Sequence, residues 1–236
     1  MKDEKNRRLV IIPAYNEEDN ILNIVAEIKK KAPDFDYVVV NDHSIDDTIR
    51  KCREMKINVI DLPINLGIGG AVQTGYKYAY IKNYDYAVQL DGDGQHDPAY
   101  LEMMLDRIVD NNADMIIGSR FIEKKGFQSS ATRRFGIRYF TVVIRLLTGS
   151  VITDPTSGFR MVNRKIIEKF AKNYPGDYPE PESIVSVLKT GGRVIEVPVE
   201  MRERQGGVSS INIKRSIYYM VKVTIAIIME RIRKEL

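Results

Sequence analysis

The first 120 residues alternate short apolar runs with segments of helical periodicity, and this alternation restricts the fold more than any other feature of the chain. The runs are rich in Val and Ile. They predict strands over 9–12, 37–40, 58–62, 86–90 and 115–117. The segments between them predict helices over 18–31, 46–55, 70–81 and 100–111. Because β-branched strands separated by helices are typical of a parallel sheet covered on both faces, the expected fold class is α/β.

The second half of the chain is less regular. It predicts a helix over 131–147, a strand over 194–199 and a closing helix over 213–234. The longest uncharged stretch of the closing helix is 223–229, far short of the ~20 apolar residues that a bilayer span needs. Tyrosines and basic residues surround this stretch. They fit a helix at a membrane interface or against a partner, and packing in the core is an equally good interpretation.

Two carboxylates, Asp91 and Asp93, directly follow the fourth predicted strand. Side chains two residues apart in an extended chain point the same way, and open parallel sheets bind ligands beyond the carboxyl ends of their strands. Two anions so close need a cation between them, and Mg²⁺ or Mn²⁺ prefers oxygen ligands and shares them with substrate phosphates. The alternative is a solvated Asp-Gly turn. Segments 13–16 and 41–43 also follow strands, so we expect a binding site at this edge.

A glycine-rich segment, 65–71, lies between the third predicted strand and the following helix. Its glycines permit close approach of a ligand to the backbone, and the N-terminus of a helix favours an anion. Val72 stands where the dinucleotide-binding fingerprint needs its third glycine, and no P-loop with a Gly-Lys-Ser/Thr ending is present. A tight turn that only packs well is the alternative.

Charge and cysteine content narrow the class of protein. The 236 residues carry a net charge of +4, but the basic residues concentrate in 120–145 and 201–236. Such segments suggest an anionic partner, although solvated helix faces are the simpler explanation for one run of charge. Cys52 is the single cysteine, which fits a reducing compartment without a disulfide framework. We expect no signal peptide, because the start of the sequence is charged and leads directly into the first predicted strand.

Six segments in this order resemble family 2 glycosyltransferases of the GT-A fold, particularly the dolichyl-phosphate mannose synthase and polyprenyl-phosphate glycosyltransferase branch. They are 13–18 (PAYNEE), 41–46 (NDHSID), 65–71 (NLGIGGA), 91–98 (DGDGQHDP), 118–121 (GSRF) and 154–160 (DPTSGFR). The resemblance implies a Rossmann-like, mixed and mostly parallel sheet flanked by helices. It also implies a catalytic domain over 1–212, followed by an amphipathic, interfacial helix over 213–236.

The resemblance also implies roles for individual residues. The donor nucleotide would be bound by Pro13, Ala14, Tyr15, Glu17, Asp42, Gly69, Gly70 and Asp91. Asp91 and Asp93 would hold Mg²⁺ or Mn²⁺, with Gln95 as a candidate third ligand. Phosphate or acceptor would be met by Arg120, Arg134, Arg204 and Ser209. The catalytic residues would be Asp93, Arg120 and Glu182, the last as general base for a hydroxyl acceptor.

The expected activity is hexosyl transfer, with inversion, from a UDP-, GDP- or dTDP-linked sugar to a polyprenyl phosphate or a cell-surface glycan. A cytoplasmic enzyme on the inner face of the membrane is expected, with no nucleic-acid partner, and the closing helix is a candidate homodimer contact. Segment 178–183 (YPEPES) departs from the pattern of the mannose synthases, which leaves acceptor and sugar open. The alternatives are a sugar nucleotidyltransferase and a non-catalytic nucleotide-binding module.

Overall fold

A computed structural model describes residues 6–123, 125, 131–202 and 213–233, without the side chains of 131–133 and 213–217. Its strands are β1 Arg8–Ala14, β2 Asp36–Asn41, β3 Val59–Asp61, β4 Tyr86–Gln89, β5 Met115–Ser119, β6 Arg160–Asn163 and β7 Val194–Pro198. They form one sheet in the order β3-β2-β1-β4-β6-β5-β7. β6 runs antiparallel to β4 and β5, and the other pairs are parallel. The prediction of a mixed, mostly parallel sheet is confirmed.

Helices cover both faces of this sheet. They are α1 Ile21–Lys31, α2 Thr48–Glu54, α3 Gly67–Ile81, α4 Leu101–Asp110, α5 Ala131–Thr148, α6 Arg164–Lys172, α7 Pro179–Lys189 and α8 Ile213–Ile232. Alternate residues of β1 point to opposite faces. Leu9 and Ile11 pack with α3, α5, α6, α7 and α8, whereas Val10 and Ile12 pack with α1, α2 and α4. The expected elements are all present.

Three elements were not predicted from the sequence: β6, α6 and α7. β6 has four residues and begins with the charged Arg160, so it lacks the apolar run that marked the other strands. α6 follows it at once, with the side chain of Asn163 accepting a hydrogen bond from Ile166 N–H. α7 begins with prolines after Tyr178, whose φ of 51° lies in the left-handed region. β6 lies within the sheet, and α6 and α7 pack on the face that also carries α5 and α8.

Candidate active site

A cavity of about 380 Å³ opens beyond the carboxyl ends of β1, β2 and β4. The register of the parallel strands places Ala14 beside Asn41, so the segments that follow these strands meet at one edge. The cavity is lined by Pro13, Ala14, Tyr15, Glu17, Asp42, Asn65, Gly67, Ile68, Ala71, Asp91, Gly92 and Asp93. The structure therefore brings together six of the eight residues expected to bind the donor nucleotide, and both expected metal ligands.

Asp42 is buried at one side of this cavity and fixes the turn before α3. Its Oδ1 accepts a hydrogen bond from Leu66 N–H at 2.7 Å, and its carbonyl accepts one from Asn65 Nδ2 at 3.0 Å. Gly67 begins α3 with a φ of +74°, a conformation that glycine adopts without strain. The turn thus holds the N-terminus of α3 against the end of β2.

Gly69 and Gly70, expected at the donor nucleotide, do not line the cavity; Gly67 and Ile68 do. A Cβ atom on Gly69 would collide with the carbonyl oxygens of Pro175 and Gly176, and one on Gly70 would collide with Leu66. These two glycines therefore allow neighbouring chain to pack against α3. The structure does not bring these two glycines to the cavity, because α3 packs against neighbouring protein at these positions, and their contact with the donor stays a prediction.

Asp91 is held by neutral groups. Its Oδ1 accepts a hydrogen bond from Gln89 Nε2 at 2.9 Å, and its N–H donates to His96 Nδ1 at 3.1 Å. The buried His96 ring stacks on Phe159 with 4.9 Å between the centroids. Gly158 makes room for the carboxylate, since a Cβ there would lie 2.7 Å from Asp91 Oδ2. The Asp91 side chain remains 35% exposed toward the cavity.

Asp93 and Gln95 belong to a turn that is tied to the chain after β7. Gln95 N–H donates to Asp93 Oδ1 at 3.1 Å, and Gln95 Nε2 donates to the Arg202 carbonyl at 3.2 Å. Arg202 N–H donates back to the Gln95 carbonyl at 3.0 Å. Burial alone would raise the pKa of Asp97, but hydrogen bonds from Ala99 N–H, Lys31 and Arg202 outweigh it and lower the pKa.

The donor set fits a hard divalent cation that completes its ligands from a substrate. Asp91 and Asp93 line one cavity and both offer carboxylate oxygens. Gln95 is not among the lining residues, and its Nε2 donates to the Arg202 carbonyl. Within the described residues, no three His, Cys, Asp or Glu side chains form a group that could hold a metal ion. Mg²⁺ commonly binds through one or two carboxylates with phosphates and waters, which matches this arrangement.

Arg120 was expected to meet phosphate, but its guanidinium is buried in an ion pair. Arg120 Nη2 lies 2.6 Å from Asp154 Oδ1, and the two side chains are 4% and 0% exposed. Arg120 Nε donates to Asp154 Oδ2 at 2.7 Å, which makes the pair bidentate. Asp154 N–H in turn donates to Glu196 Oε1 at 2.8 Å. The ion pair therefore holds the loop between α5 and β6 in place.

Glu182, expected as a catalytic base, interacts with charges of α7 and α8. Burial raises the pKa of its carboxyl and Glu230 raises it further, while Arg233 and Lys189 act in the opposite direction. These neighbours give no support to a general base at the cavity. Arg134 is exposed on α5 and is not among the residues that line the cavity. Arg204 and Ser209 lie outside the described residues.

Three residues that organise the site were not assigned a role from the sequence. Gln89 is a buried polar residue at the end of an otherwise apolar strand, and it donates a hydrogen bond to Asp91. A single polar residue within an apolar run was the sequence signal that could have indicated this role. Gly158 and Arg160 belong to the 154–160 motif. Arg160 is 1% exposed and donates hydrogen bonds to Ser157 O and Glu180 O, so it joins β6 to the start of α7.

A mixed sheet with this cavity and two aspartates beyond its carboxyl edge is the arrangement of the GT-A glycosyltransferase fold. The family model described as glycosyl transferase family 2 matches residues 9–171. The chain belongs to this family and is a glycosyltransferase, as the resemblance predicted. Its relatives place it in the dolichyl- and polyprenyl-phosphate branch.

Two curated relatives align over most of the chain. The polyprenol monophosphomannose synthase of Mycolicibacterium smegmatis is 32% identical over 87% of this chain and 81% of its own length. The undecaprenyl-phosphate mannosyltransferase of Micrococcus luteus is 28% identical over 87% of this chain and 88% of its own.

A solved structure confirms the fold. Glucosyl-3-phosphoglycerate synthase from Mycobacterium tuberculosis, crystallised with Mn²⁺, UDP-glucose and phosphoglyceric acid, superposes with a TM-score of 0.75 at 16% identity. The match covers 98% of this chain and 81% of that one.

Proposed function

We propose that this enzyme transfers a sugar, with inversion, from a nucleoside-diphosphate sugar to a polyprenyl phosphate, and that a divalent cation assists the transfer. The observation that carries the proposal is the cavity itself, which has Asp42 on one side and Asp91 with Asp93 on the other. A nucleoside diphosphate carries hydrogen-bond donors on its base and ribose, and anionic oxygens at its other end. The cavity offers the Asp42 carboxylate as an acceptor to the base and ribose, and two carboxylates that would meet the diphosphate through a divalent cation.

In this proposal one side of the cavity binds the nucleoside and the other binds the cation. Pro13, Ala14, Tyr15 and the buried Asp42 bind the base and ribose, with Asp42 held in place by Leu66 N–H. Asp91 and Asp93 would hold Mg²⁺ or Mn²⁺, with Gln95 as a candidate third ligand. A bound cation would neutralise the negative charge that develops on the diphosphate as it leaves.

The residues around Asp91 orient it. Gln89 donates to one carboxylate oxygen, and His96 accepts from the backbone N–H of the same residue. Both contacts leave the carboxylate facing the cavity, and Gly158 leaves it the space that it needs. Because the supporting groups are buried, Asp91 needs little reorganisation when the donor binds.

A lipid phosphate is the acceptor that fits the structure better. A phosphate is already ionised near neutral pH and needs no general base, and the surroundings of Glu182 do not supply one. The names of the two curated relatives, both polyprenyl-phosphate mannosyltransferases, support the same acceptor class. A glycan hydroxyl would need a further carboxylate as base, because in this proposal Asp42, Asp91 and Asp93 already bind the donor and its cation.

The proposed place of the reaction is the inner face of the membrane. A polyprenyl phosphate is a membrane lipid, so the enzyme must reach the bilayer surface as a peripheral protein. The single cysteine, Cys52, is buried and unpaired, which fits a reducing compartment such as the cytoplasm.

The test is a panel of UDP-, GDP- and dTDP-linked sugars with a short-chain polyprenyl phosphate and Mg²⁺ or Mn²⁺. We expect release of nucleoside diphosphate with one or few donors. Asp93→Asn should lower the rate about 10²- to 10³-fold, the scale for loss of one charge-stabilising group. Asp110→Asn, at the exposed end of α4, is the matched control and should keep full activity. No turnover with any donor, or full activity in Asp93→Asn, would contradict the proposal.

A further inference from the structure

The turn between β4 and α4, over residues 91–97, carries both proposed metal ligands, and we call it the metal turn. A Cβ atom on Gly94, at its centre, would meet no atom of the described residues within 4 Å. The φ of Gly94 is +75°, which is strained for most other residues. A small cavity of about 20 Å³ lies between this part of the turn and α1, with Gly94, His96 and Glu27 among its lining residues. Packing therefore holds the centre of the metal turn only weakly, and its position depends on contacts made elsewhere.

Four charged side chains form a closed ring beside the metal turn. Arg202 Nη1 donates to both carboxylate oxygens of Glu27, at 2.9 and 3.0 Å, and Arg202 Nη2 lies 2.6 Å from Asp97 Oδ2. Lys31 Nζ completes the ring, 3.0 Å from Glu27 Oε2 and 2.9 Å from Asp97 Oδ1. We call these four residues the charge ring. It joins three separate segments, which are α1, the metal turn and the chain after β7.

Arg202 connects the charge ring to a proposed metal ligand through its backbone. Its N–H donates to the Gln95 carbonyl at 3.0 Å, and its carbonyl accepts a hydrogen bond from Gln95 Nε2 at 3.2 Å. Gln95 N–H in turn donates to Asp93 Oδ1 at 3.1 Å. Only Gln95 therefore stands between Arg202 and the Asp93 carboxylate in this series of contacts. A displacement of Arg202 would move Gln95, and with it the hydrogen bond that orients Asp93.

We propose that Arg202 is a positioning residue for the divalent cation. Its guanidinium, fixed by Glu27 and Asp97, holds the backbone of Gln95 where Gln95 N–H orients the Asp93 carboxylate. Arg202 is not among the residues that line the cavity, so it acts on the cation through Gln95 and Asp93. The inference rests on the proposed function, because it takes Asp91 and Asp93 as the ligands of the cation.

Stabilisation of the fold alone explains the charge ring less well. Its four side chains are between 24% and 36% exposed, and ion pairs in contact with water usually add little stability. A planar guanidinium that meets carboxylates from two different segments does, however, fix their relative positions. The main effect of the charge ring is therefore on the geometry of the metal turn.

The experiment is calorimetric titration of UDP, GDP and dTDP into the full chain, each with and without Mn²⁺. The test variant is Arg202→Met, which removes the charge and leaves the backbone contacts of residue 202 to depend on the loop alone. Arg8→Met is the matched control. Arg8 Nη1 also donates to both oxygens of a glutamate, Glu102, and it is partly exposed, but it lies at the end of β1 opposite to the cavity.

Two milder variants test the geometry of the charge ring and replace the test variant if it does not fold. Arg202→Lys keeps the charge but loses the planar fork, so it can meet one carboxylate well and not both. Glu27→Gln removes one charge from α1 and leaves the contact between Arg202 and Asp97 in place. Circular dichroism establishes that each variant is folded.

Mn²⁺ should strengthen the binding of at least one nucleotide to the unmodified chain. Arg202→Met should lose most of this gain, since loss of a group that supports a metal ligand costs about 10- to 100-fold in metal affinity. Its affinity for the same nucleotide without Mn²⁺ should not change. Arg202→Lys and Glu27→Gln should each lose part of the gain, and Arg8→Met should keep all of it.

The possible failures are distinguishable. A full Mn²⁺ gain in Arg202→Met, or in both milder variants, would overturn this inference and leave the proposed function intact. Equal losses with and without Mn²⁺ in Arg202→Met, or loss of the gain in Arg8→Met, would also overturn it, because they would indicate a general effect on the fold. No Mn²⁺ gain with any nucleotide in the unmodified chain would contradict the proposed function itself, and this inference with it.

Discussion

The two sides of this molecule hold their charged side chains in different ways. At the cavity, Asp42 and Asp91 are held by neutral donors, Leu66 N–H and Gln89 Nε2, with no Lys or Arg within salt-bridge distance in the described residues. On the side of the later helices, charges are cancelled internally, as in the buried Arg120–Asp154 and Lys189–Glu230 pairs.

The difference indicates where the protein would bind a cation from outside the chain. A carboxylate such as Asp91, which lines a cavity and has no Lys or Arg of the described residues within salt-bridge distance, favours a bound metal ion. Buried pairs that are already neutralised stabilise the fold and leave little charge for a ligand. The comparison thus supports the proposal that the ligand binds at the carboxyl ends of β1, β2 and β4, and that Arg120 stabilises the fold.

The largest expected effect tests that structural role. Arg120→Met should lower the free energy of unfolding by about 3–5 kcal/mol, because it leaves Asp154 buried and unpaired. Urea unfolding measures this change. Arg50→Met, at an exposed pair with Asp47 and Glu54, is the control and should change stability little. A stable Arg120→Met variant that has lost turnover would show instead that Arg120 meets the substrate.

The next effect concerns the space beside Asp91. Gly158→Ala would put a Cβ atom 2.7 Å from Asp91 Oδ2, so the carboxylate must move. We expect the affinity for a nucleoside diphosphate with Mn²⁺ to fall about tenfold to a hundredfold, as for other small misplacements of a binding group. Titration calorimetry measures it. Gly136→Ala, with open space around its Cβ position, should bind normally. Unchanged affinity in Gly158→Ala would separate Asp91 from ligand binding.

The smallest effect concerns Glu182 and pH. Burial, then Glu230, raises the pKa of this carboxyl in the folded state. Its stabilising contribution is therefore present below the unfolded pKa and is lost as the pH rises through the folded pKa. Glu182→Gln should raise Tm by about 2–4 °C at pH 8, the shift that about 1 kcal/mol of added stability gives in a chain of this length. Near pH 4 the substitution should give no gain in Tm.

Two further measurements complete this prediction. Turnover of Glu182→Gln should stay near that of the unmodified enzyme. Glu168, whose pKa is lowered by the hydrogen bond from Lys172, is the control, and Glu168→Gln should gain no stability at pH 8. Loss of turnover in Glu182→Gln, without a change in the pH dependence of Tm, would restore Glu182 as a catalytic base.

The sequence predicted the β1, β2 and β4 side of the molecule well because local pattern and topology agree there. Each buried parallel strand is an uninterrupted apolar run, and its carboxyl end must lie at one edge of the sheet. Asp42, Asp91 and Asp93 could therefore be placed together from their position after the runs. The structure places Gly67 and Ile68 at the cavity rather than the expected Gly69 and Gly70, since the sequence does not tell which side of the first turn of a helix packs against protein.

The remaining features depend on contacts between distant segments. β6 is inserted antiparallel between β4 and β5, although it follows both in the chain. The partner of Arg120, Asp154, is 34 residues away and comes within reach only through that insertion. Glu182 turns toward α8 because α7 packs between the sheet and that helix. No periodicity in the sequence encodes such pairings.

The central claim is that Asp91 and Asp93 hold a divalent cation that anchors the diphosphate of the donor. Calorimetric titration of UDP, GDP and dTDP, each with and without Mn²⁺, tests it most directly in the unmodified chain and in Asp93→Asn. Mn²⁺ should strengthen binding of at least one nucleotide to the unmodified chain and give no such gain in Asp93→Asn. An equal gain in both proteins, or no nucleotide binding by the unmodified chain, would contradict the claim.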